Sequence, residues 1–381
     1  MKRILMLNYE LPPLGGGGGV FCVKLAKGYI NAGYTVDYVT SGYKDLKKFE
    51  VIEGINIYRV PAIGRKGLQT ASMLSMLSYV VFGTIKSIQL LLKNRYTFIH
   101  SIFVIPSGPV GYIVSKLFKI PHLLTLVGGD IYDPSKKTSP HRKWYWKKII
   151  SFLINTADKL TAISTDVKNS SIKYYSPKKD IKVVALPYEI QIFTPKTRKE
   201  LNLDDDKIYL VSVGRLVKRK GYEYLIEAIA KLKNSGVECL IIGDGPEKQN
   251  LQALAEKLNI ANQIHLLGYL PLEIQKFEYL NVADIYVLSS IHEGFGIVLQ
   301  EAMQVGLPLI STNVGGQTDV VIEGRNGILV RPADSENLAK TINELINNPN
   351  MRKRFKDNNL VDVKIYDFNN ISRMYLDNIN V

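Results

Sequence analysis

The stretch "IYLVSVGRLVKRKGYEYLIEAIAKL", residues 208–232, contains a complete strand–loop–helix unit. Its first seven residues, mostly apolar and β-branched, read as a buried strand that ends at Gly214. Its last eleven place Leu225, Ile229 and Leu232 on one helical face. A strand followed by a helix of this length is the unit from which parallel sheets are built, because parallel neighbours need a long crossover.

The same alternation runs along the whole chain. Strands are expected at 3–9, 34–41, 97–103, 122–128, 159–164 and 181–188, and then at 208–214, 237–243, 263–269, 284–290, 307–312 and 326–330. Helix-length segments such as 20–33, 107–119 and 141–157 lie between them. The pattern implies an α/β chain of two Rossmann-like, doubly wound parallel sheets facing a cleft, with ligands outside the carboxyl ends of the strands. The segment "TPKTRKELNLDDD" (194–206) lacks apolar periodicity and marks the boundary. This gives a first domain over 1–190 and a second over 191–364, with a terminal helix, about 365–381, expected to pack back on the first.

Composition narrows the class. A chain of 381 residues suits two or three domains, and its 46% hydrophobic and 22% charged content is that of a globular protein. Cys22 and Cys239 stand in different halves, which excludes a disulfide framework and a cysteine zinc site. The opening "MKRILMLNYE" reads as a first strand, since its apolar run stops at Asn8. "ASMLSMLSYVVFG" (71–83) falls short of the roughly 20 residues that span a bilayer and is expected to be a buried helix. The net charge of +14 is uneven: residues 1–190 hold 27 Lys/Arg and 11 Asp/Glu, residues 191–381 hold 22 and 24. An anionic partner is therefore expected for the first half.

Four motifs follow strands. "PPLGGGGGV" supplies five glycines, Gly15 to Gly19, which allow close backbone approach and free amides at the next helix start. It matches neither the dinucleotide fingerprint nor a P-loop, as Val20 occupies the third glycine position and no Gly-Lys-Ser/Thr follows. "VGRLVKRKG" (213–221) offers Arg215 and Lys220 to a diphosphate, while Lys218 and Arg219 read as a solvated basic loop. "IIGDGPE" (241–247) brings Gly243 to a strand end, and a plain βα turn explains it equally well. In "HEGFGIVLQEAM" (291–302), the amides of Gly296, Ile297 and Val298 open a helix, Glu293 stands beside them and Glu301 lies about one turn in. Carboxylates so placed accept hydrogen bonds from sugar hydroxyls.

With "STNVGGQTDVVIEGRNGILV" after them, these motifs in this order resemble the retaining GT-B glycosyltransferases of family GT4, over nearly the whole chain. The resemblance implies a nucleotide-diphosphate-sugar donor, UDP- or GDP-linked, held mainly by the second domain. Glu301 would bind the ribose. Glu293 and the amides of Gly294, Phe295, Gly296, Ile297 and Val298 would hold the sugar and the distal phosphate. Arg215 and Lys220 would stabilise the leaving diphosphate, with Gly243 also on the donor side. The loop at Tyr269 would meet the base, and Gly16 and Gly17 would cover the donor from the first domain. The implied chemistry is hexosyl transfer with retention, without metal or cofactor and with no protein base assigned. One departure is "TLVGGDIYD", where Val127 stands in place of the histidine of many relatives and Asp130 is kept. His100 and Asp130 are the candidates for the acceptor or sugar side. The "DDD" of 204–206 lies in the expected linker and is set aside as a metal signature.

The first domain would carry the acceptor, a glycan or lipid-linked molecule of the cell envelope or a polysaccharide. The run "KKTSPHRKWYWKKII" (136–150) interleaves Lys and Arg with Trp144, Tyr145 and Trp146, which suits an anionic membrane surface. A cytoplasmic enzyme, peripheral on the inner face of the membrane, is expected. No nucleic-acid motif accompanies the charge, so nucleic acid is not expected as a partner. The alternative is a GT-B relative that processes sugar nucleotides without transfer, of epimerase type; a phosphorylase is disfavoured because no pyridoxal-lysine context is present.

Overall fold

The computed structural model describes residues 2–68 and 70–379, so the last two positions of the expected terminal helix lie outside the described residues. The chain divides into two compact units, Met1–Glu189 with Tyr366–Val381, and Ile190–Ile365. Each is a sheet covered by helices.

In the first unit the strands are β1 (Arg3–Leu7), β2 (Thr35–Ser41), β3 (Phe49–Ile52), β4 (Ile55–Val60), β5 (Phe98–Ile102), β6 (His122–Leu126), β7 (Lys159–Ala162) and β8 (Ile181–Val183). The helices between them are α1 (Gly17–Asn31), α2 (Met73–Lys93), α3 (Ser107–Phe118), α4 (Trp144–Thr156) and α5 (Thr165–Tyr175). The sheet order is β3-β4-β2-β1-β5-β6-β7-β8, the doubly wound topology that the alternation implies. Its middle strands are buried apart from Arg3 at the start of β1, as expected for strands covered on both faces.

Two features of this unit were not read from the sequence. β3 pairs antiparallel with β4 through the two-residue turn Glu53–Gly54, both with positive φ. That is the hairpin geometry that matches strand twist, and the signal was an X-Gly pair between two β-rich runs. The second is α1, which opens at Gly17, so Gly17 to Gly19 form its first turn and only Gly15 and Gly16 precede it.

The expectation of a buried helix at 71–83 is corrected. α2 runs for 21 residues, and by length and composition it could cross a membrane. It packs on β2, β4 and α3 through Ser75, Ser78, Tyr79, Gly83, Ser87, Leu90 and Leu91, and the Tyr79 hydroxyl donates to the Val39 carbonyl at 3.1 Å. Its outward side is apolar: Leu77 is 58% and Val81 56% exposed. Windowed apolarity could not tell which side faces the sheet.

The second unit holds β9 (Ile208–Val213), β10 (Val237–Ile242), β11 (Ile264–Gly268), β12 (Ile285–Leu288), β13 (Leu309–Thr312) and β14 (Gly327–Val330). All are parallel, in the order β11-β10-β9-β12-β13-β14. Its helices are α6 (Tyr222–Leu232), α7 (Lys248–Lys257), α8 (Glu273–Val282), α9 (Ile297–Gln304), α10 (Ser335–Ile346) and α11 (Pro349–Asp362). Leu225 and Ile229 of α6 are buried in the core with Leu210, Cys239 and Ile241, and Leu232 packs against that core from its edge.

The chain then returns to the first unit with α12 (Phe368–Ile379), which packs on α1. The approach depends on Gly28, where a Cβ would stand 2.0 Å from Ser372 Oγ. Ser372 Oγ instead donates to the Leu25 carbonyl at 3.2 Å.

A polar seam crosses the core of this unit. His100, in the middle of β5, is fully buried, with Nδ1 3.1 Å from the Tyr29 hydroxyl and Nε2 2.7 Å from Thr125 Oγ1. It therefore has no exposed atom to offer a ligand, and its expected place on the acceptor or sugar side is corrected: His100 belongs to the core. His122 lies beside it in β6, with Nε2 2.9 Å from Ser101 Oγ. Burial pushes His100 down to about 3 and His122 to about 4, so both fold neutral.

The unfolded chain takes up protons at these histidines below about pH 6.5 while the folded chain does not. Stability is therefore lost as pH falls from there towards 4, by about 1.4 kcal/mol per pH unit for each histidine. His122→Gln removes one such contribution, so the stability gap between wild type and variant should shrink between pH 7 and pH 5 in urea unfolding. A constant gap would mean that His122 is protonated in the folded state.

Candidate functional site

The loops that leave β9, β12 and β13 at their carboxyl ends are tied together by backbone. The Ile291 amide donates to the Arg219 carbonyl at 2.8 Å, and the Gly316 amide to the Glu293 carbonyl at 2.8 Å. Ser289 Oγ donates to the Lys220 carbonyl at 3.1 Å. Gly221 makes this approach possible: its φ is +62°, and a Cβ there would stand 2.3 Å from the Ser289 carbonyl oxygen.

The clamp delivers two cations to one carboxylate. Lys220 Nζ lies 2.5 Å from Glu293 Oε1 and Arg219 Nη1 3.2 Å from Oε2. Ser290 Oγ donates to Oε1 at 3.1 Å. Burial raises the Glu293 pKa, but the charges of Lys220 and Arg219 outweigh it, and the carboxyl is held below its ordinary value. Arg219 was expected to be solvated. It is instead a partner of Glu293, and the signal that could have found it was adjacency to Lys220 in one tight turn. Lys218 is exposed. Arg215, in the same loop, is exposed, and its side chain has no hydrogen-bond or ion-pair partner among the described residues.

Gly294, Phe295 and Gly296 lead from Glu293 into α9. Phe295 is buried, and Gly296 occupies the N-cap position in a left-handed conformation, with φ 96° and ψ 62°. No side chain caps this helix, so the amides of Ile297 and Val298 lack an acceptor from the helical ladder. Glu301 faces inward from α9 and is buried. Its Oε1 pairs with Lys276 Nζ of α8 at 2.7 Å, while Oε2 is buried with no hydrogen-bond partner. Lys276 was not found in the sequence, because it lies on a helix without a motif and only the tertiary fold brings it to Glu301. Both carboxylates act on the buried Tyr286 hydroxyl, whose pKa is raised by burial and then by Tyr222, Glu301 and Glu293. They therefore share one neighbourhood.

Two further candidates stand on the β10–β11 side of the sheet. The Gly243 amide donates to the Gly268 carbonyl at 2.8 Å, and Tyr269, directly after β11, is 73% exposed.

In the first unit, Gly16 forms the N-cap of α1, and its amide donates to Glu10 Oε2 at 3.2 Å. Gly17 is the first residue of the helix. Burial raises the Glu10 pKa against the opposing Gly16 amide and Arg65. Asp130 accepts the Val104 amide at 2.6 Å and the Gly128 amide at 2.9 Å, which joins the loops after β5 and β6. Burial nevertheless lifts its carboxyl to about 6. Among the described residues no group of three or more His, Cys, Asp or Glu side chains is placed to hold a metal ion.

Replacing Lys276 with Met leaves Glu301 buried without its counter-ion, and the unfolding free energy should fall by about 3 kcal/mol. Adding Glu301→Gln should recover most of that loss. Denaturant unfolding of the two single variants and the double variant checks this; strictly additive losses would mean that the pair does not interact.

Comparison with known proteins fits this geometry. Residues 15–191 match the model of "Glycosyltransferase Family 4" and residues 193–360 that of "Glycosyl transferases group 1". The uncharacterized glycosyltransferase MJ1607 of Methanocaldococcus jannaschii is 29% identical over 97% of this chain and 96% of its own length. A second, MJ1178 of the same organism, is 31% identical over 68% of each chain. The solved structure of Anabaena HepE in complex with UDP-glucose superposes with a TM-score of 0.76 at 20% identity, covering 100% of both chains. The protein belongs to the GT4-type glycosyltransferases, with the two α/β domains of the GT-B architecture.

Proposed function

We propose that the protein is a retaining hexosyltransferase that takes its sugar from a UDP- or GDP-linked donor held by the second unit. The observation that carries this reading is the charge at the carboxyl edge of β9 and β12. Arg219 and Lys220 pair with one carboxylate, Glu293, beside the uncapped start of α9, and Arg215 is an exposed cation of the same loop. An excess of two positive charges next to free amides suits a diphosphate, whose charge grows as the glycosidic bond breaks. No metal is needed where cations already stand in that place.

Arg215 and Lys220 stabilise the leaving diphosphate, and Arg219 holds Glu293 in position. The amides of Ile297 and Val298 take the distal phosphate, and Glu293 with the turn from Gly294 to Gly296 takes the sugar. Glu301 Oε2, buried without a partner, accepts from a ribose hydroxyl. Tyr269 and Gly243 flank the base. In the retaining reaction the acceptor attacks on the face from which the diphosphate leaves, and the departing phosphate oxygen takes the acceptor's proton. The UDP-glucose of the similar Anabaena structure supports a uridine donor. The acceptor is a glycan or lipid-linked molecule of the cell envelope, and the basic charge of the first unit supports a position on the cytoplasmic face of the membrane.

Glu293 is a poor first probe, because its removal also strips the counter-ion from Lys220 and Arg219. Arg215 has no structural partner and separates chemistry from folding. Arg215→Ala should leave the thermal midpoint unchanged and lower nucleotide release from the preferred UDP- or GDP-sugar by about a hundredfold in kcat. Undiminished turnover would remove Arg215 from the diphosphate site, and no release from any sugar nucleotide by wild type would overturn the reading.

A further inference from the structure

We propose that the outer side of α2, with the cavity beside it at the β3–β4 edge, seats the protein on a bilayer of anionic phospholipid. This deepens the membrane part of the reading above and stands apart from the donor chemistry.

α2 is amphipathic in the reverse of the usual sense. Small and hydroxylated residues, Ser75, Ser78, Gly83 and Ser87, lie on its buried side. Leu74, Leu77, Val81, Ile85 and Leu92 are exposed and follow one another at helical spacing. The stripe is about 27 Å long at 1.5 Å per residue. A contiguous apolar surface of this length marks a contact site. The hold of the sheet on Tyr79, Leu90 and Leu91 excludes α2 as a spanning segment of the folded unit and leaves it lying along a surface.

Beside the stripe, a cavity of about 690 Å³ opens between α2 and the β3–β4 hairpin. Phe49, Phe82 and Ile85 supply apolar lining, and Lys44, Lys48 and Lys86 supply cations. None of these three lysines makes an ion pair among the described residues; Glu50 is taken by Arg59, and Asp45 in the same loop is also unpaired. Residues 42–95 carry nine Lys/Arg and three Asp/Glu.

An apolar stripe with cations along its margin complements the two layers of an anionic bilayer surface, phosphate outside and acyl chain beneath. A soluble anion would use the lysines and leave the stripe in water. The aromatic–basic run expected to dock lies further round the same side. α4 packs on α3, and α3 on α2, and Trp144 is 71% exposed with Ile149 and Phe152 exposed behind it. The run singled out in the sequence would then form an outer part of the proposed face, with α2 at its centre.

The test uses the full-length protein with vesicles of phosphatidylglycerol and phosphatidylcholine, and with phosphatidylcholine alone. Wild type should co-sediment with the anionic vesicles at low salt and at least about tenfold less with neutral vesicles or at high salt. Leu77→Glu with Val81→Glu should lose about tenfold of that binding without a change in thermal midpoint, because both positions are solvent-facing. Leu77→Glu alone should already weaken that binding, whereas Met374→Glu, a single change of the same kind at an exposed position of α12, should bind as wild type. If the α2 variant misfolds, Lys44→Glu with Lys48→Glu replaces it and should abolish the preference for anionic vesicles.

Wild type remaining in the supernatant, or the α2 variant sedimenting unchanged, would overturn the proposal. So would self-association of wild type without lipid that the α2 variant loses, which would assign the stripe to a second copy. Donor hydrolysis measured in parallel separates the two readings: vesicle binding without nucleotide release defeats the donor site, and release without binding defeats the membrane face.

Discussion

The buried carboxylate of Glu293 holds together the loops on which the candidate site is built. Its two oxygens take Lys220 and Arg219 from the loop after β9, and its carbonyl takes Gly316 from the loop after β13. A buried carboxylate is stable only when its lost hydration is replaced, and here two cations and the Ser290 hydroxyl replace it. The arrangement holds Lys220 and Arg219 together at the carboxyl ends of β9 and β12. Gly221 is the steric condition for it, since no other residue leaves room for the Ser289 carbonyl.

Much of the fold was legible because a parallel sheet leaves a strong trace. Buried strands are continuous apolar runs, and β5, β6 and β9 to β13 fall where those runs stand. The β3–β4 hairpin was missed for the opposite reason: Phe49, Val51 and Ile52 are exposed at the sheet edge, so the segment shows no clean alternation. α2 was read as a buried helix, and its apolar side is the exposed one. Periodicity says that a helix has two sides and how apolar each is; the neighbouring surface decides which side is buried, and serines fit the close packing against α3 and the sheet.

Side-chain chemistry was less legible than backbone. Arg215 and Glu293 stand in the loops that follow β9 and β12, and the motifs there named them. Arg219 and Lys276 depend on partners 74 and 25 positions away, and nothing local announces such pairs. His100 shows the converse error. A histidine near a strand end suggests a ligand, yet a strand of five residues leaves its centre only two positions from its end, and there the ring is enclosed by Tyr29 and Thr125.

The two carboxylates of "HEGFGIVLQEAM" are therefore not equivalent. Glu293 has both oxygens engaged, so a ligand that uses it must share or displace Lys220 or Arg219. On the proposed reading a diphosphate would do this at little cost, because it would draw the same cations towards itself while the carboxylate turned to a sugar hydroxyl. Glu301 has one oxygen engaged and one without a partner, so it can receive a hydroxyl with no exchange at all. A buried acceptor left open costs stability in the empty protein, and the first hydroxyl to reach it regains the bond without a competing loss. On the proposed reading, binding of a ribose at Glu301 and redistribution of charge at Glu293 would thus be separable events, one fixing the nucleotide and the other answering the charge that forms on it.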